Sequence, residues 1–239
     1  MNGGCTRTDF SLDGRRCVLC ACPQPEVLLI EPVDENDLAF LDRETEYLAA
    51  RAVRPFALAT FLIADWNREL TPWKAEAVFG REPFGDGAPQ TLSFVTETLL
   101  PHLRDRFPSA ERLPVVLGGY SLAAFFALWA GYVQEGIDAV AAASPSVWYP
   151  GWMDFARTHA PKARRISLSL GDAEERTRNR VMATVGDCIR EQAALLDARG
   201  VANVLEWNPG NHFKDTDVRT AKAFLRALEG PVFERETQR

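Results

Sequence analysis

One segment, residues 115–124, restricts the fold of this chain more than any other. Its sequence, VVLGGYSLAA, begins as an apolar strand, is interrupted by two glycines, presents Ser121 and continues as an apolar run to Val133. This pattern predicts a strand that turns sharply into a helix, with the serine at the turn. Small residues are needed where such a strand and helix nearly touch, which accounts for Gly119 and Ala123.

A serine at such a turn is a candidate nucleophile, and the alternative is a serine that only caps a core helix. A serine hydroxyl needs a base within hydrogen-bond distance to become reactive. The chain has three histidines, His102, His159 and His212. The first two lie at the ends of predicted helices, whereas His212 is in a tight loop between the predicted strand 201–207 and a final helix. The sequence therefore indicates His212 as the base.

A carboxylate that orients the imidazole is expected after a strand between these two residues. Residues 165–170 are predicted to form a strand, and Asp172, Glu174 and Glu175 follow it. Acidic residues also suit the first turn of a helix, here the predicted long helix 177–199. The spacing alone does not choose the acid.

Four short motifs occur in an ordered combination: GGYSLA at 118–123, ASPSVWY at 143–149, GDAE at 171–174 and GNHF at 210–213. With them, the chain resembles the putative-esterase family of α/β-hydrolases, which includes enterochelin esterases, esterase D and feruloyl-type esterases. The resemblance extends over residues 27–228. It implies an α/β-hydrolase fold and an ester-hydrolysing activity.

The resemblance implies that Ser121 is the nucleophile, His212 the base and Glu174 the acid, with Asp172 and Glu175 as alternatives for the acid. It also implies that the acyl or leaving-group pocket is bordered by Ser144, Ser146 and Trp148.

In α/β-hydrolases an oxyanion hole is formed by the backbone N–H after the nucleophile and by one from a loop after a neighbouring strand. Leu122 supplies the first donor. We expect the loop after the predicted strand 56–64 to lie near the serine, and Asn67, with Trp66 as the alternative, is the predicted second donor.

Strands alternate with helices along the chain, which predicts a mostly parallel, doubly wound sheet covered by helices on both faces. The predicted strands are 27–33, 56–64, 115–120, 136–142, 165–170 and 201–207, and the predicted helices are 37–52, 92–107, 122–133, 177–199 and 216–228. With 239 residues, of which 46% are hydrophobic and 25% charged, the chain fits a single α/β-hydrolase domain over residues 1–239.

Charge and hydropathy exclude some classes of partner. The net charge of −6 argues against nucleic acid or an anionic membrane as the main partner. The most apolar stretch, residues 122–133, is shorter than the roughly 20 residues that cross a bilayer. The first nine residues are polar and do not form a signal peptide. We therefore expect a cytoplasmic protein, and the sequence does not indicate its oligomeric state.

The cysteines Cys17, Cys20 and Cys22 are spaced as in some metal sites, but a structural zinc site needs four ligands. The other cysteines, Cys5 and Cys188, are not paired at a suitable spacing. The local sequence favours a strand with small hydrophobic residues, so we predict no metal. An odd number of cysteines is consistent with a reducing compartment.

The sequence thus favours a serine esterase that acts on a small-molecule carboxylic ester without a cofactor. The alternatives are a siderophore esterase of the enterochelin type, a thioesterase or S-formylglutathione hydrolase, an acyltransferase, and a non-catalytic binding member of the fold. Aromatic residues at 148–152 suit a compact aryl ester. A cluster of Arg176, Arg178 and Arg180 would suit an anionic substrate, but the pattern favours a solvated helix face.

Overall fold

The computed structural model describes residues 5–107 and 113–230, and the backbone in these ranges is organised around one sheet of eight strands. The strands are β1 (Thr6–Leu12), β2 (Arg15–Ala21), β3 (Val27–Val33), β4 (Phe56–Leu62), β5 (Val115–Tyr120), β6 (Ala139–Ala143), β7 (Arg165–Gly171) and β8 (Ala202–Asn208).

The order of the strands in the sheet is β1-β2-β4-β3-β5-β6-β7-β8. The pairs β1–β2 and β2–β4 are antiparallel, and all later pairs are parallel. The carboxyl ends of β5, β6, β7 and β8 therefore lie side by side at one edge of the sheet. The loops that follow these four strands meet at that edge.

Helices cover both faces of the sheet. They are α1 (Glu35–Ala49), α2 (Trp66–Glu69), α3 (Ala88–Ser93), α4 (Leu100–Arg106), α5 (Leu122–Val133), α6 (Trp152–Thr158), α7 (Val185–Ala198) and α8 (Thr216–Ala227). Alternate residues of β3 separate two apolar cores: Leu28 and Ile30 pack with α5 on one face, while Val27 and Leu29 pack with α1 and α8 on the other. This arrangement confirms the predicted α/β class. No helix in the described ranges is both long and apolar enough to cross a membrane.

Both β1 and the segment before α7 differ from the sequence prediction. The strand β1 was not predicted, because it is a largely exposed edge strand that carries Thr, Arg and Asp rather than an apolar run. The predicted helix 177–199 is wrong in its first third, since regular helix begins only at Val185. Before it, the Asn179 side chain accepts hydrogen bonds from the N–H groups of Val181 and Met182 and donates to the carbonyl of Val78. These bonds compete with a regular helix.

The predicted helix 92–107 is observed as a longer helical segment with an irregular centre. Residues Phe94–Leu99 form a π-helical turn between α3 and α4. Pro101 is the second residue of α4, just after this turn; proline has no N–H to donate, and its ring collides with the carbonyl four residues earlier. The wider turn lets the chain continue as a helix despite the proline.

Two carboxyl groups are buried together between the sheet and α1. Glu31 on β3 is 3% exposed and Glu44 on α1 is 5% exposed. Burial raises the pKa of both carboxyls well above the ordinary value of 4.5, and the neighbouring carboxylates, Asp37 among them, add to this. Two carboxylates buried side by side would repel each other, so the folded protein favours the state in which at least one of them keeps its proton.

This pair predicts that stability falls as the pH rises. Both pKa values are raised in the folded state, so above about pH 4.5 the folded protein holds protons that the unfolded chain has released. We expect Glu44→Gln to increase Tm by at least about 2 °C at alkaline pH and to change it little at acidic pH. Thermal unfolding of both proteins across this pH range tests the prediction.

Glu46→Gln, an exposed change on the same helix, is the matched control. A loss of stability in Glu44→Gln at alkaline pH would contradict this interpretation of the pair.

Candidate active site

Ser121 lies at the turn between β5 and α5 in a strained backbone conformation. Its φ of 58° and ψ of −119° are unusual for a residue with a side chain. Backbone bonds hold the turn on both sides: the Ser121 N–H donates to the carbonyl of Ala143, and its own carbonyl accepts from the N–H of Ser146. The turn presents the hydroxyl at the carboxyl edge of the sheet, as the strand–glycine–serine–helix pattern predicts.

The close approach of strand and helix explains the small residues around the serine. Gly119 has a φ of 152°, and a Cβ atom there would lie 2.7 Å from the Cβ of Ala123. The methyl group of Ala123 is accommodated because residue 119 has no side chain. The turn therefore tolerates Ala123 in the place where many such turns have glycine.

His212 lies in the loop between β8 and α8, and its two ring nitrogens face two different partners. Its Nε2 is 3.0 Å from the Oγ of Ser121, and its Nδ1 is 2.7 Å from Oε2 of Glu174. The carboxylate can only accept, so Nδ1 carries the proton and Nε2 is free to accept the serine proton. The three residues form one continuous chain of hydrogen bonds.

The three acidic residues after β7 have separate roles in the structure. Asp172 accepts from the backbone N–H of Gly210 at 2.8 Å. Glu174 contacts His212, whereas Glu175 forms an ion pair with Arg190 at 3.0 Å. Of the three acids that the sequence left open, Glu174 alone contacts the imidazole among the contacts within the described residues.

Glu174 is buried, and donors surround its second oxygen. Its Oε1 accepts from the Ser144 hydroxyl and from the N–H of Gly171, both at 2.7 Å, and from Arg219 at 3.2 Å. Burial by itself would raise the pKa of Glu174, but hydrogen bonding and charge from His212, together with the bonds from Ser144 and Gly171, outweigh it and lower the pKa. The side chain is therefore held as a carboxylate.

Leu122 lies where the sequence predicts an oxyanion donor. It is the first residue of α5, so its N–H has no acceptor within the helix. Leu122 directly follows Ser121, so this N–H belongs to the residue after the serine.

The loop that carries Asn67, the predicted second donor, follows a strand that is not adjacent to the strand of Ser121. Asn67 follows β4 in the short helix α2, but β3 pairs with β5 and separates β4 from the strand of Ser121. At the end of β3, Pro32 has no N–H, and the N–H of Asp34 donates to the Asp37 carboxylate of α1 at 3.1 Å. The loop after β4 nevertheless reaches the site, because its Phe79 and Phe84 contact Trp148, and Asn67 as a donor stays a prediction.

A cavity of about 240 Å³ opens beside His212 and Glu174. Trp148 forms one wall of it, as the resemblance implies, and its ring contacts those of Phe79 and Phe84. Further walls are formed by Arg176, Thr177, Met182, Val185, Asn211 and Phe213. Of the predicted pocket residues, Ser144 also lines the cavity, while Ser146 is buried.

The remaining histidines and the cysteine cluster lie elsewhere. His102 stacks on Phe10, and His159 stacks on Phe155. Cys17 and Cys20 are buried on opposite faces of β2, because they are three residues apart in a strand. The residues described contain no group of three or more His, Cys, Asp or Glu side chains that could hold a metal.

Two residues of the site were not singled out from the sequence, Tyr120 and Arg219. The Tyr120 hydroxyl donates to the carbonyl of His212 at 2.7 Å, and Arg219 of α8 contacts Glu174. The available signal for Arg219 was its position four residues before Ala223, on the face of α8 that carries the small and apolar residues.

The fold and the serine turn define an α/β-hydrolase, and comparisons with known proteins agree. An IroE-like serine hydrolase from Shewanella oneidensis has a TM-score of 0.75 at 13% identity, covering 93% of this chain and 80% of that one. The siderophore hydrolase EstB from Aspergillus nidulans has a TM-score of 0.70 at 18% identity, with coverages of 94% and 95%. The enterobactin esterase FES from Shigella flexneri has a TM-score of 0.67 at 14% identity, with coverages of 94% and 58%.

The family model described as "Putative esterase" matches residues 45–213, which is most of the chain. No curated protein sequence matches this chain. The chain belongs to the putative-esterase family, as the motifs predict, and it is a serine esterase.

The geometry predicts that three carboxyl-to-amide changes after β7 affect the activity unequally. We expect Glu174→Gln to lower kcat/KM by about 10²–10⁴-fold, because the amide cannot stabilise the protonated imidazole. Asp172→Asn and Glu175→Gln, which contact a backbone N–H and a surface arginine, should each change it less than about threefold. Steady-state kinetics with a soluble ester measures all three, and equal small losses would rule out Glu174 as the orienting acid.

Proposed function

We propose that Ser121, His212 and Glu174 form the catalytic triad of this esterase. The observation that carries this proposal is the hydrogen-bond chain from the serine hydroxyl through both imidazole nitrogens to a buried carboxylate. Each member follows the end of a different strand, Ser121 after β5, Glu174 after β7 and His212 after β8. This is the chain order serine, acid, histidine that α/β-hydrolases use.

In the proposed first half-reaction, the Oγ of Ser121 attacks the ester carbonyl while its proton passes to Nε2 of His212. The carbonyl oxygen becomes an oxyanion, which the N–H of Leu122 stabilises. The tetrahedral intermediate then collapses: the bond to the alkoxy oxygen breaks, and the leaving alcohol takes the proton from His212. The products of this half-reaction are the free alcohol and an acyl-serine.

In the second half-reaction, His212 takes a proton from a water molecule that attacks the acyl-serine. The new intermediate collapses to the free carboxylic acid, and the serine oxygen recovers its proton from Nε2. Glu174 stays ionised throughout and offsets the positive charge that His212 carries in both steps. Its lowered pKa supports this role, because the carboxylate competes poorly for the proton on Nδ1.

The nucleophile can be tested with a fluorophosphonate probe, which reacts quickly only with an activated hydroxyl. We expect one labelled site, at Ser121, and no labelling or ester turnover in Ser121→Ala. His212→Ala should lose about as much activity as the serine variant, because triad members act as a unit. Intact-mass and peptide mass spectrometry locate the label, and circular dichroism checks the fold. Labelling that persists in Ser121→Ala would refute the assignment.

We propose short-chain aryl esters as the substrates that fit the site best. The cavity of about 240 Å³ suits a compact group, and Trp148 and Phe213 offer aromatic walls to it. The Phe213 ring is 85% exposed beside His212, where a bound aromatic group would cover it.

A second candidate, an ester of an anionic siderophore, is favoured by one observation. Arg176 lines the cavity, and no ion-pair partner for it is found among the described residues. Two of the solved structures similar to this chain are named as a siderophore hydrolase and an enterobactin esterase. An unpaired guanidinium at the cavity would suit a catecholate or carboxylate group.

A panel of aryl esters with increasing acyl length separates these substrates. We expect kcat/KM to be highest for acetate and butyrate esters and to fall at least about tenfold for a decanoate ester, which exceeds the cavity. Arg176→Gln should leave the turnover of these neutral esters unchanged. A preference for the decanoate ester would contradict the proposal. Turnover of a ferric catecholate ester that is lost in Arg176→Gln would favour the siderophore.

We also propose that the chain functions as one α/β-hydrolase domain in the cytoplasm. The proposal of one domain is supported by the single sheet to which all strands of the described residues belong. The cytoplasmic location is supported by five free thiols, which suit a reducing compartment.

A further inference from the structure

Arg219 places a buried positive charge where three segments of the site meet. The residue is 2% exposed, although it lies on α8, whose other charged residues mostly face the surface. Its Nη1 donates to Oε1 of Glu174 at 3.2 Å, to the hydroxyl of Tyr120 at 3.1 Å and to the carbonyl of Asn211 at 2.9 Å. Its Nη2 donates to the carbonyl of Pro209 at 2.9 Å.

Packing of α8 alone does not explain an arginine at this position. A buried guanidinium costs several kcal/mol of desolvation free energy unless charge and hydrogen bonds compensate it. The same face of the helix is otherwise formed by Thr220, Ala223 and Phe224, so an apolar residue would satisfy the core. The planar guanidinium, however, can donate to several acceptors in fixed directions, which neither an apolar residue nor a lysine can do.

We infer that Arg219 is a positioning residue that fixes both the acid and the histidine loop for catalysis. The inference rests on the proposed triad of Ser121, His212 and Glu174. Arg219 does not line the cavity, so it acts through these groups rather than on the substrate. One guanidinium joins the carboxylate to the loop that carries the base, and this keeps the distance between Glu174 and His212 fixed.

Tyr120 extends this control to the backbone of His212. The tyrosine hydroxyl accepts from Arg219 and donates to the carbonyl of His212 at 2.7 Å. Burial, with the charge of Glu174, raises the pKa of Tyr120 to about 12, so the hydroxyl keeps the proton that it donates. The residue that precedes the nucleophile is thereby tied to the residue that deprotonates it.

The charge of Arg219 also affects the proton affinity of the site. The titratable groups that face the guanidinium are Glu174 and Tyr120, with His212 bonded to both. Other ionisable groups nearby have their own partners: Asp172 accepts from the backbone of Gly210, and the carboxylates Asp215 and Asp217 at the start of α8 pair with Arg43. Removing the cation therefore leaves the negative charge of Glu174 less compensated, and protonation of the imidazole becomes easier.

The test compares Arg219→Gln, which removes the charge, with Arg219→Lys, which keeps it but cannot reach all four acceptors. In Arg219→Gln we expect kcat to fall about 10- to 100-fold with KM changed less than about twofold, because the triad and not substrate binding is affected. In a plot of kcat/KM against pH, the acid limb of Arg219→Gln should shift to higher pH. In Arg219→Lys the acid limb should stay near that of the wild type, and kcat should recover in part.

Arg226→Gln is the matched control, since Arg226 is on the same helix and pairs with Glu206 at the surface. It should keep the wild-type kcat and pH profile. Thermal melting and near-ultraviolet circular dichroism check that each variant is folded. Should Arg219→Gln fail to fold, two other variants still test the inference. Tyr120→Phe removes the hydrogen bond to the His212 carbonyl, and Arg219→Lys removes part of the hydrogen bonding of the guanidinium while it keeps the charge. Tyr120→Phe should lower kcat without a shift of the acid limb.

Three results would overturn the inference. The first is wild-type kinetics in Arg219→Gln, and the second is a loss of kcat in Arg219→Gln that is equal at all pH values and does not recover in Arg219→Lys. The third is wild-type kinetics in both Tyr120→Phe and Arg219→Lys. Failure of the triad itself is distinguishable. If Ser121→Ala keeps its activity, the triad and the role of Arg219 fall together. If Ser121→Ala is inactive but Arg219→Gln is not impaired, only the positioning role falls.

Discussion

The negative charge of Glu174 lies almost out of contact with water, and the surrounding segments are arranged to compensate it. A carboxylate in such a place stays ionised only if donors replace the water that it has lost. Here they come from Gly171 at the end of β7, from Ser144 after β6, from the loop after β8 and from Arg219 on α8. The groups that stabilise the charge are therefore also the groups that bring three strand ends together.

The serine turn depends on a different constraint, the contact between β5 and α5. A strained residue persists only where its surroundings determine its conformation. The contact of Gly119 with Ala123 and the backbone bonds from Ser121 to Ala143 and Ser146 supply this restraint. Because β5 lies in the interior of the sheet, the strands β3 and β6 fix its position on both sides.

What the sequence could predict follows from how local each feature is. The serine turn depends on residues that are adjacent in the chain, and the position of His212 depends on one strand and one loop, so both could be inferred. The choice among Asp172, Glu174 and Glu175 depends on which way each side chain points once β7 and β8 are paired. The order of β3 and β4 in the sheet does not follow their order in the chain, so the sequence did not show that β3 lies between β4 and the serine strand. A charged residue in an amphipathic helix is ordinarily assigned to the surface, so the burial of Arg219 was not evident.

The dispersal of the site over the second half of the chain has a consequence for biosynthesis. A ribosome that has completed β5 has already made Ser121, but the proposed base follows β8 and the cation that contacts the proposed acid lies on α8, the last helix described. On the proposed triad, a nascent chain that has not yet docked α8 has a serine without an activated hydroxyl. Hydrolytic activity thus begins only when the parallel part of the sheet and its covering helices are assembled. A half-made polypeptide in the cell is consequently inert towards the esters that the finished enzyme cleaves.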